Sequence, residues 1–268
     1  MEENTIIQIA SDVQEADEEI DADGALITPG FVDSHTHPIF SGNRAYEFEM
    51  RVAGKTYEEI SESGGGIISS INGVRNTDEN QLFEECLERV NFFLGHGTTT
   101  IEAKSGYGLT TEDELKSLRV IKRLNEASPL GIIPTFMGAH AFPPEYQSNQ
   151  PKYIDLICEE MIPAVAEEKL AEYCDVFCED GYFSIKDSRR ILETAQKHGL
   201  TPRLHADEFA DSGAAELAAE VGAVSADHLM AVSDKGIQSM ADAGVIATLL
   251  PGTTLFLGKI GYAPGRKI

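Results

Sequence analysis

The sequence predicts an α/β fold: a parallel (β/α)8-type barrel, incomplete at its C-terminal end, with seven of the eight strands visible. Two observations carry this prediction. Apolar segments of strand length alternate with helical segments along the chain, a pattern that calls for parallel strands and right-handed crossovers. Five of the seven histidines fall at the C-terminal ends of predicted strands, the face on which such barrels build their sites. A doubly wound sheet would explain the alternation as well, but no glycine-rich fingerprint follows the first strand.

Strand one is placed at 25–32, around Pro29-Gly30. After a polar stretch, a helix over about 78–94 turns Leu82, Phe83, Cys86, Leu87, Val90 and Phe93 to one side. Gly64-Gly65-Gly66 in that stretch lacks the Lys-Ser/Thr partner of a phosphate loop and reads as a flexible connection. Strand two, 98–103, is rich in β-branched residues. The next helix opens on a capping box, Thr111-Glu112-Asp113-Glu114, and buries Leu115, Leu118 and Ile121. Strand three at 130–137 is followed by a helix opening at Pro151, a good first-turn residue. Strand four (174–178) precedes a helix at 186–198, and strand five (202–206) one at 212–221. Strand six (223–226) leads into a helix from Ser233, and strand seven is 245–250. Gly199, Gly222 and Gly244 stop the last three helices, where a left-handed residue costs glycine least.

With 21 Lys and Arg against 45 Asp and Glu, the formal charge is −24. Such a surface repels phosphate backbones and anionic lipid, which argues against nucleic-acid and membrane partners. The uncharged run 127–144 carries four prolines, unlike a spanning helix. Met1-Glu2-Glu3 has no basic n-region before an apolar core, so no secretory signal is expected. Cys86, Cys158, Cys174 and Cys178 are too scattered for a disulfide scaffold, and a cytoplasmic location is the expectation. Cys174 and Cys178 share one strand face and read as packing, since C-x-x-x-C without a second pair is not a zinc motif.

His96 and His198 each precede a glycine at a helix end, where a partly cationic ring suits the helix dipole. The rest concentrate the chemistry. His35 and His37, two apart on a strand, project from the same face and can hold one metal ion. A pair of surface histidines in a turn is the plain alternative, and His205 at an equivalent strand end favours the metal. His228 can donate a proton or stabilise an oxyanion, or can simply pair with Asp227. Glu208 is placed to accept a proton or hold a substrate N–H. Arg44 suits a substrate carboxylate, with a surface ion pair to Glu47 or Glu49 as the alternative. Tyr107, between glycines after strand two, can approach a ligand, and Lys104 fits a structural role better than that of a bridge between two metals.

The run P-G-F-V-D-S-H-T-H at 29–37 resembles the first-strand signature of the amidohydrolase superfamily. Six further stretches resemble the imidazolonepropionase family: H-T-H-P-I-F-S-G-N-R (35–44), I-E-A-K-S-G-Y-G-L (101–109), T-F-M-G-A-H-A-F-P (135–143), L-H-A-D-E-F (204–209), S-A-D-H-L (225–229) and L-L-P-G-T-T-L-F-L (249–257). The resemblance implies a metal-dependent hydrolase that opens the cyclic amide of 4-imidazolone-5-propanoate to N-formimino-L-glutamate in histidine degradation. It implies one zinc or iron ion on His35, His37 and His205. Arg44 would grip the propionate, Tyr57, Tyr107, His140 and Glu208 would bind substrate, and Glu208 and His228 would be catalytic. It leaves room for a homodimer. By the same comparison, residues 1–28 are the tail of a small β domain and 29–268 the incomplete barrel. The family's further ligand is an aspartate in a strand reading like A-T-D-x-N-P-G, and nothing like it follows Gly258. A non-catalytic remnant, or another amidohydrolase such as a deaminase or cyclic-amide hydrolase, are the alternatives to that activity.

Overall fold

Seven parallel strands follow one another around the sheet in chain order, β1 Phe31–Thr36, β2 Thr98–Lys104, β3 Gly131–Ala139, β4 Tyr173–Cys178, β5 Thr201–Ala206, β6 Ser225–His228 and β7 Ile246–Thr248. This is a computed structural model, and it describes residues 6–11, 16–55, 59, 65–257 and 261–268. Each strand pairs in parallel with the next. The sheet curls into a nearly closed barrel. Arg203 on β5 donates to the Ser34 carbonyl of β1 at 2.8 Å, and Lys104 on β2 stands 3.8 Å from Asp227 on β6. A cleft of about 530 Å³ lies between the free edges, lined by residues 31–35 on one side and 248–253 on the other. Phe31 and Val32 line it and, like Ile246 on β7, are largely exposed.

The helices are α1 Ala45–Val52, α2 Ile67–Asn76, α3 Glu79–Gly95, α4 Thr111–Ala127, α5 Gln150–Leu156, α6 Ile162–Glu168, α7 Ile185–Lys197, α8 Ala214–Glu220, α9 Asp234–Ala243 and α10 Pro251–Leu257. Leu82, Cys86 and Val90 of α3 and Leu118, Ile121 and Leu124 of α4 face the sheet fully buried, the stripe that their spacing predicts. Between α5 and α6 the chain takes one wide π-turn at Ile157–Met161, just ahead of Pro163, which lacks the N–H an α-turn uses there. His96 and His198 cap the C-terminal ends of α3 and α7, as expected. The four cysteines are free and buried, and burial pushes the Cys178 thiol up to about 12, in keeping with a packing role. Among the described residues no helix is long and apolar enough to cross a membrane.

Several element positions differ from expectation. Strand one is not at 25–32: Pro29 has no N–H for a ladder, and pairing starts where the Phe31 N–H donates to Gly97 O at 2.9 Å. Strand six starts two residues late, because the Ala223 N–H is still spent on the α8 carbonyl of Ala218. The α4 cap is Thr110, not Thr111, with its Oγ1 accepting from the Asp113 N–H at 3.1 Å. Helices α1, α2 and α10 were not expected. Serines, asparagine and glycine dilute the apolar residues of α2, although Ile71 and Val74 are fully buried. By contacts the chain divides into Met1–Gly30 and Phe31–Ile268, and the described part of the first unit contains no strand.

Candidate metal centre and active site

His35 is the fifth residue of β1, and His37 follows its end, so both rings reach the C-terminal mouth of the barrel. The Thr36 hydroxyl between them donates to the Glu102 carbonyl at 2.5 Å and pins this turn to β2. From β5, His205 meets them: its Nε2 lies 3.3 Å from that of His37, which lies 3.3 Å from that of His35. Ligand atoms of all three residues fall within 4.8 Å of one another.

The groups behind the rings fix which nitrogen faces inward. The Nδ1–H of His35 donates to Asp227 Oδ2 at 2.6 Å, and that of His205 to Asp175 Oδ1 at 2.9 Å. Both rings therefore turn Nε2 lone pairs toward the shared centre. Burial lowers the pKa of all three histidines, most strongly for His37, and keeps them neutral. Lone pairs 3.3 Å apart repel unless a cation lies between them. That spacing also matches the edge of a tetrahedron with Zn–N bonds of about 2.0–2.1 Å, so the residues fit a divalent transition metal. Among the described residues the buried Nδ1 of His37 has no hydrogen-bond partner, a ring held by its surroundings for its other nitrogen.

A buried charge network supports this centre. Lys104, wholly buried, donates to Asp175 Oδ2 at 2.6 Å and to Glu102 Oε1 at 2.7 Å. Arg203 donates to Asp227 Oδ2 at 3.2 Å and lies 3.3 Å from Glu102 Oε1. The Thr135 hydroxyl completes the group by donating to Glu102 at 2.6 Å. Burial opposes ionisation of Asp175 and Asp227, yet His205 and Lys104 hold Asp175, and His35 and Lys104 hold Asp227, below the usual carboxylate range. Lys104 thus takes the structural role rather than a bridging one. Asp227 binds His35, not His228, which corrects the Asp227–His228 pairing weighed from sequence.

Glu208 and His228 close over the histidines. A cavity of about 370 Å³ is lined by His35, His37, His140, His205, Glu208 and His228. Burial, helped by the nearby charge of Glu179, lifts the Glu208 carboxyl to about 7. Burial beside His205 and His35 lowers His228 to about 2, and among the described residues neither of its ring nitrogens has a hydrogen-bond partner. Its Nδ1 faces Glu208 Oε1 at 3.5 Å. His228 and Leu229 both have positive φ, 77° and 58°, a strained backbone that turns the imidazole over the barrel mouth.

His140 follows β3, with its Nδ1–H donating to Gly106 O at 2.9 Å and its ring stacked on His37 at 4.9 Å. Burial lowers its pKa to about 3. A Cβ at Gly106 (φ 109°) would meet Met137 O at 2.9 Å and His140 Nδ1 at 3.0 Å, so only glycine fits this approach. Tyr107 lies 5.9 Å from the His37 ring and 5.1 Å from that of His140, centroid to centroid. A second cavity of about 440 Å³ runs from His37 and Tyr107 to Arg44, Ser69 and Ser70. At its far end Arg44 is forked onto Glu47 at 2.7 and 2.6 Å, the ion pair raised as its alternative, and Glu47 also accepts from the Gly66 N–H. Tyr57 lies outside the described residues.

His35, His37, His140, His205, Glu208 and His228 are thus brought together, and Tyr107 and Arg44 line the adjoining cavity. Sequence reasoning missed Glu102, Asp175 and Arg203. Their signal was available: each is a charge in a β-branched or apolar strand, and Arg203 has the same inward parity as His205.

No protein-family profile matches the chain. It is 57% identical over 249 residues to an imidazolonepropionase of Brevibacillus brevis, covering 93% of this chain and 58% of that protein. Against the imidazolonepropionase of Shouchella clausii it is 55% identical over 238 residues, 89% of this chain and 53% of the relative. The 5-methylcytosine deaminase of Klebsiella pneumoniae has the same fold, with a TM-score of 0.65 at 18% identity over 92% of this chain and 60% of that one. The chain thus spans somewhat more than half the length of the curated relatives that it matches. By sequence it is similar to imidazolonepropionases, and it shares its fold with the 5-methylcytosine deaminase.

Proposed function

We propose that this chain carries the metal-dependent hydrolase barrel of an imidazolonepropionase, which opens 4-imidazolone-5-propanoate to N-formimino-L-glutamate in histidine degradation. The observation that carries the reading is the convergence of three neutral imidazoles whose Nε2 atoms are 3.3 Å apart, two of them backed by carboxylates. The names and identities of the relatives supply the substrate.

His35, His37 and His205 would hold one zinc or iron ion, which supplies Lewis acidity at the barrel mouth. Imidazole suits either metal. The chain's own residues do the rest. Glu208, with a carboxyl at about 7, takes a proton at Oε1 or Oε2 from the attacking water near neutral pH. His228 stays neutral and, with Nδ1 facing Glu208, exchanges that proton with the opening ring. His140 and Tyr107 pack against His37, where the ring enters. Arg44 would meet the propionate carboxylate at the far end of the adjoining cavity, shared with Glu47. A cytoplasmic location suits such a small-molecule step.

A second reading is favoured by the unclosed sheet. Among the described residues no carboxylate joins the three-histidine group, for Asp227 and Glu102 group with His35 alone. The chain by itself would then keep its ligands without turnover. The test is to load the purified chain with zinc or iron and assay imidazolone propionate beside cytosine, guanine and dihydroorotate. Selective ring opening supports the hydrolase, metal binding without turnover supports the second reading, and deamination of cytosine or guanine overturns the substrate.

A further inference from the structure

We propose that Lys104 is a positioning residue: by occupying one oxygen of Asp175 it fixes the orientation of that carboxylate's other oxygen and, through it, the ring tautomer that His205 presents to the three-histidine centre. The proposal deepens the metal-centre reading and rests on it for its consequence. Its ground is the division of labour at Asp175. Among the described residues Oδ2 accepts only from the Lys104 ammonium, at 2.6 Å. Oδ1 accepts from two groups of His205, the backbone N–H at 3.1 Å and the ring Nδ1–H at 2.9 Å. An ammonium has donors alone, so whatever faces it must be an acceptor. Lys104 is itself fixed from the other side by Glu102, which Thr135 holds in turn. All these side chains are buried away from bulk solvent, where an unmatched donor or acceptor is costly.

The arrangement behind His35 is built differently. Asp227 Oδ2 receives both His35 Nδ1 and Arg203 Nη2, and its Oδ1 has no partner. An amide at 227 would keep its oxygen toward Arg203 and go on accepting from His35 with the same atom, whereas an amide at 175 must divide its oxygen and its NH2 between Lys104 and His205. This asymmetry makes the His205 arm the one that can be tested by a change of a single atom.

In Asp175→Asn, the Lys104 ammonium keeps the amide oxygen to itself, and the NH2 group is turned toward His205, where the backbone N–H loses its acceptor and only the ring can adapt. The ring then has to accept at Nδ1, its proton moves to Nε2, and the lone pair leaves the shared centre. In the double variant Lys104→Met, Asp175→Asn, nothing holds the oxygen at the Lys104 side. The amide can flip, offer its oxygen to His205 Nδ1–H and restore the original tautomer.

Long-range ¹H–¹⁵N spectra of the metal-free chain read the tautomer of His205 directly, and competition with a chromophoric chelator reads zinc affinity. Wild type should show His205 with the proton on Nδ1. Asp175→Asn should show it on Nε2, with zinc affinity lowered on the order of 10–100-fold, the usual effect of losing a group behind a metal ligand. The double variant should return both readouts toward wild type, a rescue that a merely structural lysine would not give. An Nε2–H tautomer in wild type overturns the proposal without any substitution, so it stays testable even if a variant fails to fold. Wild-type behaviour of Asp175→Asn, or a folded double variant without recovery of the tautomer, also overturns it. If the tautomers follow the expected order and wild type binds no zinc, the metal reading fails and the positioning role of Lys104 stands.

Discussion

Replacing Glu208 by Gln should stabilise the metal-free chain, and only at high pH. The carboxyl sits in a cavity of imidazoles with 6% of the residue exposed, beside a second carboxylate, Glu179, and burial lifts it from 4.5 to about 7. At pH 4 the folded and unfolded chains both hold the proton, and the glutamate and glutamine forms should be alike. Between 4.5 and about 7 the unfolded chain ionises first, so stability drains away as pH rises. Above 7 the folded state has to carry a buried carboxylate, and the gap corresponds to about 3 kcal/mol. Urea unfolding of both forms in EDTA at pH 4, 6 and 8.5 should therefore show a difference that grows from near zero to about 3 kcal/mol in favour of glutamine. A difference that is constant with pH would refute the burial argument. In the loaded protein the same group predicts turnover that rises through neutral pH as the base ionises, and loss of that turnover in Glu208→Gln.

Three shorter expectations follow from the site. Elemental analysis of a His35→Ala, His37→Ala double variant should show metal content collapsing against wild type, and unchanged stoichiometry would sink the ligand assignment. Arg44→Met should raise KM for a substrate bearing a propionate on the order of 10–100-fold, the size of a lost charge-assisted bond of about 1.5–3 kcal/mol, and leave a substrate without the carboxylate nearly unchanged; equal effects on both would leave Arg44 as the partner of Glu47 only. Gly106→Ala should cost on the order of 1–3 kcal/mol in denaturant titration and displace His140, because the added carbon lands 2.9 Å from a carbonyl at a φ of 109°.

The alternation of strand and helix was readable because β2 to β5 are made of β-branched and apolar residues bounded by polar helix starts. Strand one was misplaced for a functional reason. The true strand, F-V-D-S-H-T, is two-thirds polar because its end carries the site, whereas the apolar 25–27 just before it joins no strand among the described residues. The histidines were legible individually, since H-x-H on a strand already implies one face. Their supports were not. Lys104 finds Asp175 at a separation of 71 residues, and Arg203 finds Ser34 at 169, so no local pattern pairs them. Asp227 shows the limit: adjacency suggested His228 as its partner, but successive strand residues point to opposite faces, and the acid reaches across the barrel to His35 instead.

The free edges of the sheet lead to the last expectation. β1 pairs only with β2 and β7 only with β6 among the described residues, so each presents a row of backbone donors and acceptors toward the cleft between them. Phe31, Val32 and Ile246 stand beside those edges with 62%, 68% and 68% of their surface exposed. Covering side chains of this kind is worth about 1.5–3 kcal/mol each when complete, so three of them together with new ladder bonds favour pairing with another chain at modest concentration. The formal charge of −24 opposes this at low salt, and screening weakens that opposition as salt rises. Sedimentation velocity should therefore show association that increases with protein and salt concentration. The double variant Val32→Lys, Ile246→Lys should reduce it, since a lysine at an edge resists pairing. Neither residue belongs to the three-histidine group, so zinc affinity should stay as in wild type. A strand inserted between β1 and β7, as in a longer polypeptide carrying an A-T-D-x-N-P-type segment, should abolish the association and sharpen melting at once. A wild-type chain that stays monomeric across this range and melts in one sharp transition would show that the cleft is closed in solution by the chain's own residues, and that the open edge is not what limits its stability.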